Sequence, residues 1–150
     1  MNARGFSLAE LMMILAITGI LATLVAPTLS SYAKGAALQA AARELATSIN
    51  LGRQIAISRN TTVCVEAAAP ASIRLRTGGC GGAAWTGPGT DGSGAIKIAE
   101  SSRYQVSTTA NVVFTSLGAA SPAGTYTLTN PANGATHAVV VAATGRVSVR

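Results

Sequence analysis

The sequence predicts an α+β protein: a long N-terminal α-helix, its first half membrane-spanning, packed through its second half on a C-terminal antiparallel β-sandwich. Three observations carry this reading. No charge occurs from Leu11 to Leu29, a run of nineteen residues with Glu10 at its entrance. Apolar and small residues then recur at alternating spacings of four and three, at Leu38, Ala42, Leu45, Ile49, Gly52 and Ala56, which is one face of a helix. Beyond Asn60 the pattern changes to short apolar runs separated by Gly, Pro and Asn, the mark of many short strands.

The uncharged run would extend about 28 Å as a helix, enough for the hydrocarbon core of a bilayer. A cleaved secretory signal is the competing reading. Its apolar region is usually shorter and ends in a breaking, small-residue site, whereas here helical pattern continues. Pro27 lacks a backbone N–H, so a kink or local melting is expected there. From residue 31 to 59 the helix becomes amphipathic, with Arg43, Glu44, Asn50, Arg53 and Arg59 largely off the apolar stripe. The whole helix would be about 75 Å long.

Strands are expected at Thr62–Val65, Ser72–Arg76, Ala95–Ala99, Tyr104–Ser107, Val112–Thr115, Thr125–Thr129, His137–Ala142 and Arg146–Val149. Alternation puts Arg74 and Arg76 on one face, opposite Ile73 and Leu75. Gly78 to Gly94 reads as a glycine-rich loop with Trp85 in its middle. If Arg146 to Arg150 is extended, Arg146, Ser148 and Arg150 share a face, and Val147 and Val149 the other.

Composition bounds the function. Charged residues make up 11% of the chain, against roughly 25% in soluble domains, which suits a small extracytoplasmic β-domain. The net charge of +6 favours anionic partners such as nucleic acid or phospholipid; solvated arginines that merely maintain solubility are the plainer reading. The two cysteines, Cys64 and Cys80, are sixteen positions apart, and His137 is the only histidine. A four-ligand zinc site is therefore improbable. An even count in an exported domain favours a disulfide, with two buried thiols as the alternative. No catalytic constellation is present: no paired carboxylates, no nucleophile beside a base, and no Lys-Ser/Thr after Gly78-Gly79-Cys80-Gly81-Gly82. Asp91-Gly92-Ser93-Gly94 offers one carboxylate, too few hard ligands for calcium. No enzyme, metal or cofactor is expected.

Gly5-Phe6-Ser7-Leu8-Ala9-Glu10-Leu11 resembles the class III signal of type IV pilins and of the pseudopilins of type II secretion. The resemblance implies that residues 1–5 are a leader removed by a prepilin peptidase, which cuts between Gly5 and Phe6 and methylates the new N-terminus on Phe6. Residues 6–30 would then be the transmembrane and polymerising helix, 31–59 its amphipathic continuation, and 60–150 a periplasmic head. Pro27 falls where many of these proteins carry a helix-kinking proline. Cleavage would create an α-amino cation, and Glu10 is its natural counter-ion within the subunit or across to a neighbour. In this family the pair aligns subunits during assembly.

A helix ending in Ala56 to Asn60, Val63-Cys64, a second cysteine, a tryptophan and a closing Gly145-Arg146-Val147 resemble, more narrowly, the GspH/FimT family. That implies a two-sheet β-sandwich head and a minor pseudopilin or minor pilin in the inner membrane. Such a subunit helps to initiate or cap the fibre of a type II secretion system or the related type IV pilus, with other pilins as partners. The alternative is a pilus-tip subunit that binds DNA for uptake. Some family members carry Gly-Arg-x-Arg at the C-terminus for that purpose; here Ser148 replaces the second arginine, and Arg150 is the nearest substitute beside Arg146. An edge strand protected from aggregation by its arginines is the competing reading.

Overall fold

A computed structural model describes residues 7–98 and 102–150, without the side chains of 24–28 and 30. Helix α1 (Leu8–Ser58) is followed by nine strands: β1 (Val63–Ala68), β2 (Ser72–Thr77), β3 (Ala83–Ala84), β4 (Ala95–Lys97), β5 (Gln105–Thr108), β6 (Val112–Phe114), β7 (Gly124–Thr129), β8 (Thr136–Val141) and β9 (Val147–Val149). The chain divides into two compact units, residues 1–37 and 38–150.

In the first unit α1 carries large apolar side chains that the chain leaves uncovered: Leu8, Leu11, Met12, Met13, Ile14, Leu15 and Ile17 are each 46% or more exposed. The helix is continuous through Pro27, so the local melting expected there does not occur. Among the described residues no helix is long and apolar enough to cross a membrane. Of the span expected over Leu11–Leu29, the side chains of residues 24–28 lie outside those described.

In the second unit the predicted stripe is buried throughout. Leu38, Ala42, Leu45, Ile49 and Ala56 are 3% exposed or less, and Gly52 is buried with them. They share one core with the inner faces of two antiparallel sheets. The first sheet runs β3-β2-β1-β6, with β4 also on β2; the second runs β5-β7-β8-β9. Register fixes the faces: Val63 lies opposite Phe114 and Thr77, and Val65 opposite Val112 and Leu75, so these side chains point inward together. Tyr126, Leu128, Val139 and Val141 supply the inner face of the second sheet. Two antiparallel sheets are what the sandwich reading requires, but α1 enters the same core as a third layer.

Each expected strand is present within a residue or two over the described positions, except that β1 runs three residues further, to Ala68. The other exception is the glycine-rich segment, where β3 forms as two residues paired with Arg76 and Thr77. Its shortness and small side chains give no alternation for a reader of the sequence to detect.

The polar joint of the core is Tyr126. Its hydroxyl donates to the Val65 carbonyl at 2.7 Å and accepts from the Val112 N–H at 3.2 Å, linking β7 of one sheet to β1 and β6 of the other. Burial pushes the phenol up to about 12, against the hydrogen bond from Val112. The phenol of an unfolded chain titrates near 10. The unfolded chain therefore loses its proton first, so the contribution is fully present below pH 10 and is lost as pH rises through 12. The alkaline loss expected is up to about 3 kcal/mol. Tyr126→Phe should abolish that phase and cost about 1–3 kcal/mol at neutral pH, since a buried carbonyl and amide lose their partner. Denaturant unfolding in detergent followed by circular dichroism across alkaline pH tests both, and an unchanged alkaline slope in the Phe variant would refute the assignment.

Candidate functional site

Two regions carry the side chains that the sequence singles out. At the C-terminal edge, β8 and β9 form a hairpin with Val139 opposite Val149, Val140 opposite Ser148 and Val141 opposite Val147. The connection is a three-residue turn. The Gly145 N–H donates to the Ala142 carbonyl and the Ala142 N–H to the Arg146 carbonyl, with Gly145 at φ +80°. This is a type I turn closed by a left-handed residue and a bulge, a geometry that favours glycine. Beyond it Val147 packs on the core, which turns Arg146, Ser148 and Arg150 to the outer face. Arg146 and Arg150 are exposed, and among the described residues neither guanidinium has a side-chain partner.

The hairpin is locked from behind. The loop after β6 makes the same turn, with the Gly118 N–H donating to the Thr115 carbonyl and Gly118 at φ +82°. The Ala120 N–H donates to the Ala143 carbonyl at 2.9 Å, so the two turns lie against each other. A Cβ on Gly145 would overlap the Gly118 carbonyl oxygen. That same oxygen accepts a hydrogen bond from Arg53 Nε of α1 at 2.9 Å. Arg53 is off the apolar stripe, and on the sequence it reads as a solvated helix face; the structure makes it half-buried. Its position next to Gly52 was the one available signal, because the two residues flank the line along which the helix approaches the sheets.

The outer face of the first sheet has a second charged group. Arg74 and Arg76 share that face, as alternation requires. Arg76 Nε meets Glu66 Oε2 at 2.7 Å, and its Nη1 donates to the Gly82 carbonyl at 3.0 Å. Arg74 Nε is buried with no partner among the described residues. Cys64, opposite Arg76 in the ladder, is joined to Cys80 by a disulfide. Disulfide and guanidinium together hold the glycine turn after β2 onto the sheet. Asp91 is engaged within its own turn: its Oδ1 accepts from Ser93 Oγ, Ser93 N–H and Ala95 N–H. Those bonds, the Ser93 hydroxyl first, hold its carboxyl below the usual carboxylate value. Among the described residues no three His, Cys, Asp or Glu side chains are grouped to hold a metal ion. His137 Nδ1 lies 3.3 Å from the Arg150 carbonyl oxygen, at the end of the β8–β9 ladder.

At the other end, Glu10 is exposed in the first turn of α1, where a carboxylate is favoured by the helix dipole. Gly5 and Phe6, the expected cleavage pair, lie outside the described residues, and so does the leader.

Two family profiles match the chain. One, described as type II transport protein GspH, covers residues 41–145; the other, the prokaryotic N-terminal methylation motif, covers residues 1–26. Solved structures of three proteins are among those that resemble the fold. The solution structure of GspH from E. coli superposes with a TM-score of 0.60 at 12% identity, over 77% of this chain and 88% of that one. The type IV minor pilin FimU of Pseudomonas aeruginosa gives 0.57 at 15% identity, over 79% and 92%. The minor pseudopilin EpsH of the type 2 secretion system of Vibrio cholerae gives 0.57 at 10% identity, over 75% and 95%. At these identities the likeness speaks to the fold alone. No curated protein sequence matches.

The turn lock predicts an unequal pair of substitutions. Gly134, at φ +69°, has open space around its Cβ position, so Gly134→Ala carries only the backbone strain, about 1–2 kcal/mol. Gly145→Ala adds the overlap with Gly118 and should lower the melting temperature further, by several degrees; equal shifts for the two variants would show that the turns are not in contact. The disulfide, with a sequence separation of 16, should contribute about 3 kcal/mol. Comparing Cys64→Ala/Cys80→Ala with the parent in denaturant reads this directly.

Proposed function

The chain belongs to the GspH family of type II transport proteins, and from that membership we propose that it is a minor pseudopilin or minor pilin. Its role is structural: it is inserted in the inner membrane with its head in the periplasm, and enters the fibre of a type II secretion system or the related type IV pilus to help initiate or cap assembly. The observation that carries this reading is the coincidence of two profiles on one chain, the methylation motif over residues 1–26 and GspH over 41–145. The geometry supports it. A helix that exposes Leu8, Leu11, Met12, Met13, Ile14 and Leu15 together cannot leave that surface in water, since exposed apolar patches of this extent mark membrane or protein contacts. Lipid covers it before assembly and neighbouring helices cover it in the fibre.

The mechanism follows from charge. A prepilin peptidase cuts between Gly5 and Phe6 and methylates the new amine. That amine and Glu10 are then the opposite charges nearest the apolar face. In a low-dielectric fibre core an unpaired Glu10 is costly, so a subunit docks in the register that brings a neighbour's amine to it. The expected outcomes are separable. Mass spectrometry of the purified chain should find an N-methylated Phe6 at its start. Glu10→Gln should leave that processing intact and strongly reduce recovery of the subunit in sheared or cross-linked fibres. An unprocessed Met1 would overturn the family mechanism, and normal incorporation of the Gln variant would overturn the role of the carboxylate.

A further inference from the structure

We propose that the free edge of β9 is a docking site for an extended, acidic strand of another polypeptide, added antiparallel to the second sheet. The backbone comes first. Arg150 exchanges both N–H···O bonds with Ala138, and the Arg146 carbonyl accepts from Ala142. Residues 146, 148 and 150 therefore point their backbone groups at β8, and the N–H and C=O groups of Val147 and Val149 point away from it. β9 ends the sheet order, so four hydrogen-bonding groups face outward on a strand held in place by the Arg53–Gly118–Gly145 lock. A neighbouring strand satisfies such groups directly.

The side chains specify its chemistry. Arg146 and Arg150 flank this edge on the outer face, four residues and about 13 Å apart. Among the described residues neither pairs with a carboxylate, and the described acids of the head are engaged elsewhere: Glu66 by Arg76, and Asp91 by its own turn. Opposite them an added strand presents two residues four positions apart on one face, so carboxylates at that spacing pair with both arginines. Between them, its alternate residues face inward beside Val149, which is 36% exposed, and apolar side chains fit there.

Nucleic acid is the weaker occupant. A duplex-binding surface typically engages about six to ten phosphates. The outer positions around the two arginines are neutral instead, at Ser107, Thr125, Thr127, Thr129, Ala138 and Val140. Strand addition uses the open backbone as well as the charges, whereas phosphate binding would use the charges alone.

The test uses the full chain in detergent and a fluorescent peptide, Thr-Glu-Val-Thr-Val-Glu-Thr, read by anisotropy at low salt. It should bind at least about tenfold more tightly than its Gln counterpart, and Arg146→Ala/Arg150→Ala should erase that difference. Methylating the backbone nitrogens of the two valines should abolish binding of both peptides. Absence of peptide binding, binding indifferent to N-methylation, or an Arg146- and Arg150-dependent shift of random duplex DNA without peptide binding would each overturn the proposal. The measurement needs no fibre, so its failure is distinct from failure of the assembly reading.

Discussion

Two adjacent residues of α1, Gly52 and Arg53, set the terms for the rest of the head. A Cβ on Gly52 would lie 3.0 Å from a Leu75 methyl and 3.2 Å from a Val65 methyl, so the absence of a side chain lets the helix settle onto β1 and β2. One residue on, Arg53 sends its Nε to the Gly118 carbonyl. Close approach makes that reach possible, because a helix held further out would leave the carbonyl without its donor. The turn of Gly118 then supports the turn of Gly145, and Gly145 starts the strand that carries Arg146 and Arg150. Packing in the core and placement of charge at the edge are consequences of one helix position.

Polar groups are used sparingly inside this head, and the central one joins its layers. Tyr126 links the sheets through one hydroxyl that both donates and accepts, which leaves no orphaned hydrogen-bonding capacity at the centre of an apolar core. The glycine turn after β2 has no apolar anchor of its own, and it is held by a covalent bond to Cys64 and by the hydrogen bond from Arg76 to Gly82. Apolar burial fixes the helix and sheets, and point attachments fix the turns that burial cannot reach.

Most of the architecture was legible because it is written in periodicity. The stripe from Leu38 to Ala56 and the alternation around Arg74 and Arg76 each specify a face before any tertiary contact is known. So does the order of Arg146, Ser148 and Arg150. What periodicity could not supply was contact between remote turns. Arg53 pairs with a carbonyl sixty-five residues away, and a carbonyl has no residue type to recognise. β3 escaped notice because alanine and glycine carry no alternation. The melting expected at Pro27 rested on one missing N–H, while its neighbours sustain the helix across that gap. Residues 5 and 6 were legible only as a motif, and Glu10 is the described member of that group.

The distribution of carboxylates explains why the exposed arginines point to a partner. With 11 basic and 5 acidic residues in the chain, most cations cannot be neutralised from within. Of the described acids, Glu66 lies on Arg76 and Asp91 on its own turn, and Glu10 stands at the start of the helix. Arg146 and Arg150 could have been shielded by one acidic residue at Thr127, Ala138 or Val140, positions on the same outer face. Instead that face is neutral and small, which keeps the strand edge accessible while leaving its two charges uncompensated. A protective edge needs charge alone and gains nothing from accessibility. An edge that is both open and uncompensated is built for a strand that brings its own carboxylates.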